Sequence, residues 1–157
     1  MRSFLRKNRI IILLLVLICI TSYVALKLSK GYYKYFAQLY CDSDFHYNLI
    51  TFNSVIAGFL FSGLSILISL ISNESIKRLW DNGYLDGLYH SGTIGICMNI
   101  LSIIMSFITV LNVLPVAYQD VIRVWVIFEI IVTGGSLVFF IYCVHELVYS
   151  INILKKK

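Results

Sequence analysis

The stretch FNSVIAGFLFSGLSILISLIS, residues 52–72, carries no charged side chain and is long enough to cross a bilayer as a helix. Three other stretches read the same way, so that apolar segments occupy about residues 10–28, 49–71, 93–114 and 124–146. Runs of roughly 18 apolar residues are read as transmembrane helices, because only a helix satisfies its own backbone in lipid. A soluble domain would break such runs with polar loops, yet the chain is 59% hydrophobic and only 13% charged. Four spans in 157 residues leave no room for a separate soluble domain. The expected architecture is therefore an all-α, four-helix membrane bundle forming one domain. Its connecting segments are an outer aromatic loop (29–48), a cytoplasmic elbow (72–92), a second outer loop (115–123) and a basic tail (147–157).

The basic residues orient it. Arg2, Arg6, Lys7 and Arg9 precede the first span, Lys77 and Arg78 lie in the elbow, and Lys155, Lys156 and Lys157 close the chain. On the other side stand Lys27, Lys30, Lys34 and Arg123. The excess of Lys and Arg on cytoplasmic loops places both termini and the elbow in the cytoplasm. The net charge of +5 then follows from topology and anionic headgroups, and no nucleic acid is called for. The head MRSFLRKNRI resembles a signal sequence, but Tyr23 falls where a cleavage site ending at Ala25 needs a small residue. An uncleaved anchor is expected. The aromatic loop, with Tyr32, Tyr33, Tyr35, Phe36, Tyr40, Phe45 and Tyr47, suits a headgroup belt.

Small and polar residues in the spans form stripes. Ser54, Gly58, Ser62, Ser65, Ser69 and Ser72 recur at steps of three and four, which puts them on one side of a helix. The third span carries Gly95, Asn99, Ser102, Ser106, Thr109 and Asn112 in the same rhythm, preceded by Ser91 or Gly92. The fourth has a row of Glu129, Thr133, Ser136, Cys143 and Glu146, with Gly134 and Gly135 beside it. Such faces let helices approach closely and hydrogen-bond across the interface. Ser54, Gly58, Ser62, Ser65, Ser69, Gly95, Thr133, Gly134 and Ser136 are thus expected in helix packing or in an oligomer interface. As a pore lining, the same kind of face would present hydroxyls to water.

Glu129 is the sharpest single residue, an ionisable group about a turn and a half inside the fourth span. It is read either as part of a polar path or as a structural partner, with Asn112 at a plausible depth to bond it. Asn99, Ser102, Ser106 and Thr109 would continue the path. His145 and Glu146 sit where snorkelling is easy. Cys41, Asp42, Asp44 and His46 cluster loosely without metal-ligand spacing, and Cys19, Cys97 and Cys143 fall inside spans as small hydrophobes. No metal or cofactor is expected. There is no nucleophile elbow, H-E-x-x-H or phosphate loop, so an enzyme is the least favoured class.

The elbow is ordered by its own sequence. Asn73 can cap a short helix whose Ile76, Leu79 and Trp80 share a face, and Asn82–Gly83 is a stop. Lys77, Arg78, Trp80, Asp81, Tyr84 and Asp86 form the surface expected to dock a cytoplasmic partner. AGFLFSGLSILISL followed by IKRLWDNGYLDGLY resembles a group of uncharacterised small four-span proteins of Gram-positive bacteria, some associated with anti-phage defence loci. The resemblance covers residues 52–90 and no functional residue comes with it. It implies a bacterial cytoplasmic membrane and a membrane effector that disrupts or depolarises the bilayer when a cytoplasmic partner signals. Together with the stripes this gives the preferred expectation, a homo-oligomeric effector or channel-like subunit in which conduction needs several copies. The rival is a non-conducting scaffold that anchors a soluble partner. A holin-like lysis protein and a small exporter rank below both.

Overall fold

A computed structural model describes residues 9–28, 33–111 and 119–155, and those residues are almost entirely helical. Helix α1 spans Arg9–Leu28, α2 Tyr33–Cys41 and α3 Ser43–Ser69, the last extended by a 3-10 turn at Leu70–Ser72. Helix α4 covers Glu74–Asp81, α5 Asp86–Val110 and α6 Gln119–Lys155. Among the described residues, three stretches are long and apolar enough to cross a membrane: Ser43–Ser72, Asp86–Val110 and Asp120–Asn152. The apolar part of α1, Ile11–Val24, is shorter. The described residues have the build of an all-α membrane protein with three helices of spanning length, where the sequence reading expects four.

Local chemistry fixes the helix ends. Asp42 accepts from the backbone amides of Asp44 and Phe45 and starts α3 within the stretch expected as the outer aromatic loop. That stretch is therefore helical over Tyr33–Cys41 and again from Ser43 onward. Asn73 caps α4 through the Ser75 amide, as its position predicts. Gly83, at φ 71°, turns the chain after α4, a left-handed backbone that glycine adopts without strain. Leu79 is buried and Ile76 and Trp80 are partly buried, which docks α4 on the end of the bundle.

Helix α5 sits between α3 and α6 and packs along both, while α3 and α6 touch each other far less. Helices α1 and α2 lie against α6. At the α4 end, α3 and α6 stand apart around an apolar groove of about 110 Å³ lined by residues that include Phe59, Leu64, Phe140 and Leu147. At the α2 end they meet.

The polarity of the molecule is that of a membrane bundle. Phe59, Phe61, Ile66, Phe107, Phe128 and Ile141 stand exposed, whereas His46, Asn53, Asn99, Ser102, Ser106 and Glu129 are fully buried. Acyl chains tolerate the first set; the second must find partners in protein.

The small-residue stripe on α3 does not make the internal packing. Ser54, Gly58, Ser62, Ser65, Ser69 and Ser72 are all exposed, and a Cβ added at Gly58 would meet nothing within 4 Å. Gly134 on α6 is equally open. The buried face of α3 is instead His46, Asn53, Ile56, Leu60, Leu64 and Leu67. The reason is steric. Two small ridges facing each other would leave few dispersion contacts, so the leucines of α3 fill the hollows over the glycines of α5. A Cβ at Gly95 would lie 2.8 Å from Leu60 Cδ1, and one at Gly92 3.1 Å from both Leu64 methyls.

Candidate functional site: a buried polar column

Where α3, α5 and α6 converge at the α2 end, each contributes one side chain to a buried polar cluster. His46 lies in the first turn of α3, Ser106 in the last turns of α5, and Glu129 about ten residues into α6. His46 Nδ1 is 3.0 Å from Glu129 Oε1, and the Ser106 hydroxyl donates to the same oxygen. Both His46 and Glu129 are completely buried. Tyr40 of α2 and Phe45 stand edge-on to the imidazole, with ring centroids 6.4 and 5.1 Å away. Above the cluster, Tyr40, Ile122 and Val126 form an apolar cap, beside which Trp125 Nε1 donates to Thr109 Oγ1 at 2.8 Å.

One turn further in, a second layer is joined by hydroxyls and one amide. Asn53 Nδ2 donates to Ser102 Oγ at 3.0 Å and to Thr133 Oγ1 at 3.3 Å, and the two hydroxyls are 2.7 Å apart. Ser136 donates back to Asn53 Oδ1 at 3.3 Å. Below that, Asn99 Nδ2 donates to the Gly95 carbonyl at 2.7 Å.

Three of these groups hold a buried polar atom with no partner among the described residues: His46 Nε2, Glu129 Oε2 and Asn99 Oδ1. A carboxylate buried this deeply depends on its donors, here the imidazole of His46 and the hydroxyl of Ser106. The bond between Nδ1 and Oε1 is also a line along which one proton can move.

The sequence expectations distribute unevenly over this geometry. Glu129, Ser102, Ser106, Thr109, Thr133, Ser136 and Asn99 all fall in the column, and Gly95 floors it. Asn112, expected beside Glu129, lies outside the described residues; among the described residues the partners of Glu129 are His46 and Ser106. Neither His46 nor Asn53 was singled out for this role. His46 was grouped with Cys41, Asp42 and Asp44, but it turns into the bundle while Asp42 caps the helix and Cys41 is exposed. The available signal was spacing: His46, Asn53, Ile56, Leu60, Leu64 and Leu67 recur at steps of seven, three, four, four and three. In the elbow, Lys77, Arg78, Asp81 and Tyr84 are exposed, and Trp80 and Asp86 are partly covered. Comparison with protein-family models, with curated proteins and with solved structures found no match to this chain.

Proposed function

We propose that the protein is a membrane effector, a homo-oligomeric channel-like subunit that dissipates an ion gradient across a bacterial cytoplasmic membrane. In this reading α1, twenty residues long, is a fourth span, and both termini and α4 face the cytoplasm. The observation that carries the proposal is Glu129, wholly buried in a spanning helix and paired with an equally buried histidine from another. An ionisable pair at that depth is costly, and a bundle meant only to persist in lipid has cheaper ways to pack. Copies associate through the exposed Ser54–Ser69 face of α3, where a second helix can approach closely. A cytoplasmic partner engages the charged face of α4, whose Glu74 and Arg78 pair in solvent at 3.4 Å. The resemblance noted above adds a setting in anti-phage defence, with the partner supplying the signal.

The exposed α4 face equally suits the second reading, a scaffold that anchors a soluble protein and conducts nothing. Ion flux from proteoliposomes separates the two. The effector reading expects flux above that of empty vesicles and its loss in Glu129→Gln. Tight vesicles with intact partner binding would leave the scaffold.

A further inference from the structure

The row of α6 that faces α5 is polar at Glu129, Thr133, Ser136, Cys143 and Glu146, and it is interrupted once, at Phe139. Phe139 is fully buried. Its Cβ lies 3.5 Å from the place a Gly95 side chain would occupy, and Leu60 reaches into the same place from α3. Leu60 and Phe139 thus close one apolar layer across a seam that is polar on both sides of it. Beyond the layer, Ser91 Oγ and Cys143 Sγ both point at the Leu88 carbonyl, at 3.1 and 3.9 Å. Glu146 follows, 15% exposed, with Oε1 3.9 Å from His145 Nδ1 and its carboxylate packed over Gly87. Seventeen residues separate the two glutamates, about 25 Å along a helix, which is most of the thickness of the hydrocarbon core.

We propose that this α5–α6 seam is a proton path within a single subunit, with the His46–Glu129 pair as its relay and the Leu60–Phe139 layer as its gate. The proposal rests on the effector reading and names its ion. A proton needs hydrogen-bonding groups in sequence and no wide lumen, so three helices suffice where a hydrated cation would require several copies.

The relay conserves atoms and charge. The relay starts from an Nδ1–H imidazole that donates to the Glu129 carboxylate. A proton arriving from the α2 side adds to His46 Nε2, which has no partner among the described residues. The imidazolium passes its Nδ1 proton to Glu129 Oε1 across the 3.0 Å bond, leaving an Nε2–H imidazole and a carboxylic acid. The carboxyl group turns and gives that same proton to the Ser102–Thr133 hydroxyls, which restores the carboxylate. The imidazole then turns over, so that Nε2–H faces Glu129 and the bare Nδ1 faces the α2 side for the next proton. One proton enters, one leaves, and the gradient drives the cycle. Chains of Asp, Glu and His inside spans serve proton movement in pumps and transporters. The apolar layer blocks transfer until water enters it, the manner in which hydrophobic constrictions gate. Among the described residues, the ionisable group facing the relay from α2 is Tyr40, and α5 has none within a turn of Ser106.

The test uses full-length protein in liposomes loaded with potassium and pyranine, with valinomycin setting an inside-negative potential. Phe139→Ala is expected to raise proton entry at least tenfold over wild type. Adding Glu129→Gln or His46→Gln should return entry to the level of empty vesicles, while parallel vesicles without valinomycin retain potassium and chloride throughout. Leu60→Ala is the second gate-opening variant, used if Phe139→Ala does not elute from gel filtration like wild type. If Phe139→Ala and Leu60→Ala vesicles leak potassium or chloride as fast as protons, and Glu129→Gln abolishes that leak, the proton assignment fails and the effector reading stands on a water-filled pore. Vesicles tight to every ion in wild type and in both gate variants overturn the two together.

Discussion

Two ridges of small residues, one on α3 and one on α5, have the same rhythm in the sequence and opposite fates in the fold. The ridge on α5, from Ser91 through Gly95 and Ser102 to Thr109, is buried along its whole length. The ridge on α3, from Ser54 to Ser69, is exposed along its whole length. The difference lies in what stands opposite. Helix α5 is flanked by two neighbours that offer it Leu60, Leu64 and Phe139, and it needs small residues to receive them. Helix α3 presents those leucines on one face, and its serines and glycines are left on another. Periodicity therefore establishes that a helix has a special face. Only the size of the residues on its neighbours decides whether that face is used inside the subunit.

The largest consequence concerns the head of the buried face. His46→Ala removes a partner of a fully buried glutamate and leaves Glu129, among the described residues, with Ser106. Breaking one side of a buried pair typically costs about 3–5 kcal/mol. The change is expected to appear as a large drop in the SDS concentration needed for unfolding, followed by Trp80 and Trp125 fluorescence. Replacing both, as His46→Leu with Glu129→Leu, should restore much of the loss because no unpaired group remains. A double variant as weak as the single would show that the stabilisation comes from ring packing against Tyr40 and Phe45.

Next in size is the glycine hollow. Gly95→Val drives methyl groups into Leu60 and toward Phe139, an overpacking expected to cost about 1–3 kcal/mol in the same titration. Combining it with Leu60→Ala should recover part of that loss, since the volume moves from one helix to the other. Without recovery, the match of large to small residues across α3 and α5 does not explain the burial of the second ridge.

Much of this fold was legible from composition and spacing, and the misses have physical causes. The apolar stretches, the Asn73 cap, the Asn82–Gly83 stop and the inward side of α5 follow from local chemistry, and the structure carries them. Glu129 was marked out because a carboxylate in a span has few bland explanations. Its histidine partner was hidden, since His46 lies 83 residues away in sequence and reads as part of an aromatic loop. Contacts between helices set register by side-chain volume, and one-dimensional periodicity contains no volume of the neighbour. For that reason the sequence, which places the serine stripe of α3 in helix packing or in an oligomer interface, does not reveal that the leucines beside it do the packing inside the bundle.

Two adjacent residues test the contrast at a finer scale. Asn53 heads the buried ridge and ties Ser102, Thr133 and Ser136 together, whereas Ser54, next to it in the chain, is exposed. Interhelical hydrogen bonds in membranes contribute about 0.6 to 2 kcal/mol, so Asn53→Ala should destabilise by roughly that amount or somewhat more. Ser54→Ala should leave the unfolding midpoint where it is. Equal effects would mean that the two faces are not distinguished energetically.

The smallest expected effect is the most informative about the outer ridge. Gly58→Ala adds a Cβ that meets nothing within 4 Å, and alanine is the better helix former by up to about 1 kcal/mol. In dilute detergent micelles, where each bundle is alone, the variant is expected to unfold slightly later than wild type. In bilayers at high protein density the sign should reverse if a second copy lies on the ridge, because close approach of backbones then loses its hollow. Energy transfer between labelled subunits, measured as lipid is added, reads that reversal directly, and Gly58→Leu should amplify it. If transfer falls to the random-mixing level for wild type and variant alike, the α3 ridge faces acyl chains. The comparison then reduces to a single ridge that packs, and any activity of the protein belongs to the isolated bundle.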